Sequence, residues 1–115
     1  MATTTATDLA GLGPACCPTG LAAPLDRASA ERLARLLKAV ADPARLQLIS
    51  LIKASPGGEA CQCDLTAPLA LSQPTVSHHL RVLVDAGLIE RRTRGTWAYF
   101  SVNADRLQEL SVALR

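Results

Sequence analysis

Apolar positions recur with a helical period along most of the chain and give way to alternation in two short places. From Ser72 to Ala86, SQPTVSHHLRVLVDA, the residues Val76, Leu80 and Leu83 share one face at 3.6 residues per turn, and Gly87 follows at once. Ser72 is suited to cap the first turn, Pro74 is tolerable inside it, and Gly87 supplies the left-handed residue that ends a helix. The pattern predicts one helix with both ends marked. Upstream, Leu33, Leu36, Leu37 and Val40 fall at i, i+3, i+4 and i+7, predicting a helix from Asp26 or Ser29 to Ala41 with Arg27, Glu31, Arg32, Arg35 and Lys38 on its other faces. Asp42 as N-cap and Pro43 as first residue open a second helix to about Ala54, with Leu46, Ile49 and Ile52 or Lys53 on successive turns. Ser55-Pro56-Gly57-Gly58 forbids continuation. Leu107, Leu110 and Leu114 form the stripe of a last helix, Ala104 to Arg115, capped by Asn103 and reading as core packing or a subunit interface.

Between these helices the period changes. Glu59 to Leu65 alternates, predicting a short extended piece with Cys61 and Cys63 on the same side, after which Asp64 caps a brief helix through about Pro68 or Leu69. Leu88 to Arg92 and Thr96 to Val102 read as two strands around Thr93-Arg94-Gly95. A short helix joined by a few residues to a second helix with a polar outer face is a helix-turn-helix, and the hairpin beside it is a wing. The expected class is mainly α with a small β-hairpin, a winged helix-turn-helix.

Composition narrows the picture. A chain of 115 residues holds one core, and with 49% hydrophobic but only 3% aromatic residues that core must be built from Leu, Val, Ile and Ala. Residues 1–25 contain Ala, Thr, Gly and Pro without period and read as a flexible arm, leaving 26–115 as the winged-helix domain. No basic residue precedes Arg27 and no apolar run approaches the roughly 20 residues of a spanning helix, so the expectation is a cytoplasmic protein without a membrane partner, its four cysteines reduced.

The net charge of +2 is too small to indicate nucleic acid, so the positions of the polar groups carry that inference. Ser72, Gln73, Thr75, Ser77, His78 and Arg81 make a short, mostly neutral set able to exchange hydrogen bonds with base edges, where an ordinary solvated face would carry more Glu and Lys. Arg91, Arg92 and Arg94 cluster at the hairpin; a charged tip usually only keeps an edge soluble, but beside such a helix it suits adjacent phosphates. Cys16 and Cys17 stand together in the arm, and Cys61 and Cys63 stand together at the centre. One cysteine buried as a small hydrophobe would be unremarkable, but two side by side, with a second pair elsewhere, favour a shared ligand. An enzyme is disfavoured: no C-x-x-C opens a helix, no Gly-rich loop could cradle phosphate, and no base is placed near Cys16 or Cys61.

The order of these elements resembles the ArsR/SmtB family of metal-responsive winged-helix repressors. The resemblance rests on Ala39-Val40-Ala41-Asp42-Pro43-Ala44-Arg45, Cys61-Gln62-Cys63-Asp64-Leu65, Ser72-Gln73-Pro74-Thr75-Val76-Ser77-His78-His79-Leu80, and Gly87-Leu88-Ile89 through Gly95-Thr96-Trp97. It implies a homodimer that binds operator double-stranded DNA and is released by metal. It also matches Cys61 and Cys63 to the thiols preceding the short helix in arsenic, antimony, cadmium and lead sensors, with Thr66 where some arsenic sensors carry a further cysteine. Cys16 and Cys17 are similar to the N-terminal couple of other arsenic-responsive members, giving a preferred triad of Cys16, Cys17 and Cys63 with Cys61 as alternative or fourth ligand. The zinc-sensing set of the last helix is missing, since Asp105 and Glu109 have no His nearby. Thiolates without His or carboxylate select soft ions, As(III) or Sb(III) first and Cd(II), Pb(II) or Zn(II) as alternatives. A thiol redox sensor on the same fold is the competing reading. Which central thiol binds, and whether the arm reaches its own subunit or the partner's, stays open.

Overall fold

A computed structural model describes residue 21 and residues 23–114. Helix α1 is Arg27–Val40, opened by the Asp26 carboxylate accepting from the Ser29 amide at 2.7 Å. Helix α2 is Pro43–Ala54, and there Asp42 Oδ2 accepts from the amides of Ala44 and Arg45 at 2.9 and 3.2 Å while Pro43 sits where no donor is needed. A 3₁₀ turn, Pro56–Gly58, leads to strand β1, Glu59–Cys61, helix α3, Gln62–Leu69, and helix α4, Gln73–Asp85. Strands β2, Ile89–Arg94, and β3, Trp97–Val102, precede the last helix α5, Ala104–Ala113.

The described chain divides into two compact units, Lys38–Asn103 and a second made of α1 up to Leu37 with α5. In the larger unit the sheet order is β1-β3-β2, all antiparallel, with Cys61 opposite Tyr99 and Arg92 opposite that same tyrosine on the other side. Its core is aliphatic around one ring: Leu48, Ile52, Leu65, Val76, Leu80, Leu83, Leu88, Ile89 and Phe100 are all buried. The end of α4 is a two-bond cap in which the amides of Gly87 and Leu88 donate to the carbonyls of Val84 and Leu83 at 2.9 and 3.0 Å. Gly87 takes φ +77 to allow it, as its position in the sequence led one to expect. In the smaller unit Leu33 and Leu36 on α1, and Leu110, Val112 and Ala113 on α5, are buried.

Four details depart from the sequence pattern. The extended piece stops at Cys61, and α3 begins at Gln62 with Cys61, not Asp64, as its N-cap; only Glu59–Cys61 has a partner in β3, so the chain beyond is free to coil. The hairpin turn is Gly95-Thr96, one step later than expected, because Arg94 still pairs with Trp97 and Gly95 has the positive φ of +61 that the loop needs. On α2 the buried face runs through Leu48, Ile49 and Ile52, leaving Leu46 exposed. On α5 the buried residues are Glu109, Leu110, Val112 and Ala113, with Leu114 exposed beyond the helix end.

Candidate nucleic-acid interface and thiol site

The polar face of α4 follows from its cap and its core side. Ser72 Oγ accepts from the Thr75 amide at 3.4 Å and bonds Thr75 Oγ1 at 2.8 Å, while Val76, Leu80 and Leu83 anchor the helix from beneath. Ser72, Gln73, Thr75, His78 and Arg81 are exposed; Thr75, His78 and Arg81 share the side of the helix away from Val76, Leu80 and Leu83, while Ser72 and Gln73 stand at its N-terminal end. Ser77 is different. At 100° from Val76 it lies on the flank of the helix, half-buried, and its Oγ accepts a bond from the Gln62 side-chain amide. On the opposite flank His79 packs inward: its Nδ1 lies 3.1 Å from Arg45 Nη1 and 4.0 Å from Asp42 Oδ2. Arg45 also donates to the carbonyls of Ala39 and Lys38 at 2.6 and 3.2 Å, so one guanidinium ties the last turn of α1 to the start of α2 and to α4. Burial alone would raise the Asp42 pKa, but the Arg45 amide, the Arg45 guanidinium, His79 and the Ala44 amide together hold it below the ordinary carboxylate value.

The three wing arginines are all exposed, yet they differ in what their charge already meets. Arg92 lies 3.9 Å from Glu90, a loose surface pair. Arg94 lies within the strand, not at the tip, and reaches the Glu59 carboxylate at 2.6 Å across the face of Tyr99, whose ring centre is 4.8 Å from the guanidinium carbon. Arg91 borders a cleft of about 340 Å³ lined also by Gln62, Ser77, Leu80, Arg81, Val84 and Phe100. Trp97, beside the turn, is 57% exposed.

The thiol segment lies at the junction of β1 and α3. Successive same-side residues of a strand stand about 6.7 Å apart, whereas the turn into the helix draws the Cα atoms of Cys61 and Cys63 to 5.2 Å. The coil after Cys61 turns both side chains toward one point, so that their sulfurs meet and can form a disulfide. Cys61 is buried and its sulfur accepts from the Cys63 amide at 3.4 Å, whereas Cys63 is exposed. Once reduced, the pair would offer two soft donors at a helix N-terminus, where the backbone favours the thiolate. Among the described residues no group of three or more His, Cys, Asp or Glu could hold a metal ion. Cys16 and Cys17 lie outside the described residues. His79 takes the packing role that the sequence allowed it beside a DNA-facing one. Sequence reasoning missed the roles of Gln62, Glu59 and Arg45; their partners are far away along the chain, and no local pattern marks them.

A helix-turn-helix with a winged hairpin defines a DNA-binding regulator, and comparison with known proteins gives its family. The model of the bacterial regulatory proteins of the arsR family matches residues 42–91. An arsenical resistance operon repressor of Bacillus subtilis is 38% identical over 73 residues, 64% of this chain and 68% of that protein. An uncharacterized HTH-type transcriptional regulator of Methanocaldococcus jannaschii is 38% identical over 80 residues, 70% of this chain and 88% of that protein. Among solved structures, the homodimeric winged helix-turn-helix DNA-binding domain of a possible ArsR-family regulator from Mycobacterium bovis superposes with a TM-score of 0.63 at 27% identity, covering 78% of this chain and 83% of that one. This chain belongs to the arsR family: it is a winged-helix, DNA-binding transcriptional repressor and not an enzyme. Among the described residues no helix is long and apolar enough to cross a membrane.

Proposed function

We propose that this chain is a cytoplasmic, homodimeric repressor that holds operator double-stranded DNA and releases it when cysteine thiolates coordinate As(III) or Sb(III). The observation that carries the reading is the meeting of the Cys61 and Cys63 sulfurs at the start of α3, the helix that leads directly into α4. Relatives named for arsenical resistance operons and a neighbour described as homodimeric support it. Residues 1–25 act as an arm that carries Cys16 and Cys17 to the centre, and residues 26–115 form the DNA-binding and dimerisation domain. The preferred ligands are Cys16, Cys17 and Cys63, with Cys61 as alternative or fourth. A trivalent metalloid takes three sulfurs in a pyramid, while all four would suit Cd(II), Pb(II) or Zn(II).

Ser72, Gln73, Thr75, His78 and Arg81 face base edges in the major groove, Ser77 holds the helix at its flank, Arg91 and Arg92 meet phosphates, and Arg94 braces the wing. Half-sites one helical turn apart tolerate little movement of the two reading helices. A hundredfold loss of operator affinity requires about 2.7 kcal/mol of preference for the released conformation, within the reach of thiolate coordination. The closeness of the two sulfurs favours a second reading, a repressor that senses oxidation through a Cys61–Cys63 disulfide.

The deciding experiment is an operator titration in a phosphine reductant, repeated with As(III), Sb(III), Cd(II), Pb(II) and Zn(II), and with peroxide after the reductant is removed. Release by As(III) that is lost in the double variant Cys16→Ser, Cys17→Ser, with operator affinity intact, supports the metalloid reading. Release by peroxide and by none of the ions overturns it in favour of the redox reading.

A further inference from the structure

Gln62 stands between the two central cysteines in the chain, and its side chain does not serve its own helix. The amide Nε2 donates to Ser77 Oγ, fifteen positions later on the flank of α4. Both residues are half-buried, so the bond is partly shielded from water. On the other side of the same segment, Glu59 at the start of β1 binds Arg94 of the wing at 2.6 Å. The thiol segment thus has one polar tie to each DNA-facing element. The two ties differ in how they would feel a change at sulfur. Glu59 is the first residue of a paired strand, held by its register against Ser101. Gln62 is the first residue of α3, flanked directly by the two residues whose sulfurs, reduced to thiolates by a phosphine or a cellular thiol, would regroup around an ion. Any rotation of that first turn moves the Gln62 stem, and the cleft bounded by Gln62, Ser77, Arg81 and Arg91 gives the freed side chain room to swing.

We propose that Gln62 is the positioning residue through which the ligand state of Cys61 and Cys63 reaches the reading helix. With the bond to Ser77 made, α4 is fixed at its flank in the DNA-competent orientation; when coordination turns the start of α3, the bond breaks and α4 loses that fixed point. Gln62 touches neither the ion nor DNA in this scheme. The inference rests on the proposed metalloid response, and its test keeps the two apart.

The test compares wild type with Gln62→Met, which keeps the side-chain length and removes the amide, both held reduced by a phosphine. Three quantities are read: thermal melting, sodium arsenite binding from the sulfur-to-arsenic absorption band, and the ratio of operator affinities without and with arsenite. A net side-chain hydrogen bond corresponds to about a fivefold factor in an equilibrium, so the variant should bind arsenite as wild type does while its affinity ratio falls about fivefold toward unity. Ser77→Ala should reduce the ratio by the same factor, and the double variant no further, since both remove one bond. A ratio unchanged in Gln62→Met, or a variant that no longer binds arsenite, overturns the inference while the metalloid reading stands. A wild-type chain indifferent to arsenite overturns both. If Gln62→Met does not fold, Ser77→Ala alone carries the comparison, with the same outcomes deciding.

Discussion

Arg94 tests whether the wing arginines are equivalent. Each cation that neutralises a phosphate of duplex DNA releases counterions and contributes about 0.9 to the slope of log affinity against log salt. Raising salt fourfold, from about 50 to about 200 mM, therefore costs about 3.5-fold in affinity per contact. Arg91→Ala and Arg92→Ala should each lower the slope by about that amount, because the first is exposed beside the cleft and the second has only a loose neighbour 3.9 Å away. Arg94→Ala should not. Its guanidinium is 2.6 Å from Glu59 and lies over Tyr99, so its charge is already met and its removal leaves a glutamate only 25% exposed without its cation. The expected cost is about 1 kcal/mol of stability, read as a melting point lower by about 4 °C, with the salt slope unchanged within about 0.3. Fluorescence anisotropy at five salt concentrations, with a circular-dichroism melt for each variant, measures both. A full unit of slope lost in Arg94→Ala with an unchanged melting point would refute the assignment of this residue to bracing.

Two further outcomes follow from the packing and the caps. Leu80→Ala removes a side chain 1% exposed beneath the reading face and should cost 2 to 5 kcal/mol, roughly, with operator binding recovered at low temperature where the variant folds; a loss under about 1 kcal/mol in urea unfolding would mean the site is looser than it looks. Asp42 has its pKa lowered in the folded chain despite the opposing effect of burial, so its contribution is present above the ordinary carboxylate value and is lost as pH falls through the folded one. Stability should therefore drop below about pH 4, and Asp42→Asn should flatten that part of the profile; equal acid sensitivity in the variant would assign the effect elsewhere, with Asp26, lowered chiefly by the Ser29 amide and hydroxyl, the next group to change.

Local chemistry determined much of this protein before any folding. Ser72, Pro74 and Gly87 bound the reading helix to within a residue or so, because capping hydroxyls, proline and left-handed glycine act over one turn and need no distant partner. Asp42 and Pro43 marked α2 for the same reason. The period of Val76, Leu80 and Leu83 likewise identified the buried face of α4, and all three are buried to the last percent. What sequence could not supply were relations between residues far apart in the chain. Arg94 reads as a free wing cation until β3 brings Glu59 alongside it; Ser77 reads as outward until Gln62 is found on its flank. The buried faces of α2 and α5 shifted from their apparent leucine stripes because a short helix has few turns in which to express a period, and its neighbours choose the face. The two central cysteines could be seen to be near each other, but that their sulfurs meet depended on the strand ending at Cys61 and the chain coiling into α3 there. Caps and periods are written into neighbours along the chain; ion pairs, flank contacts and the meeting of sulfurs exist only once tertiary folding has closed the distance.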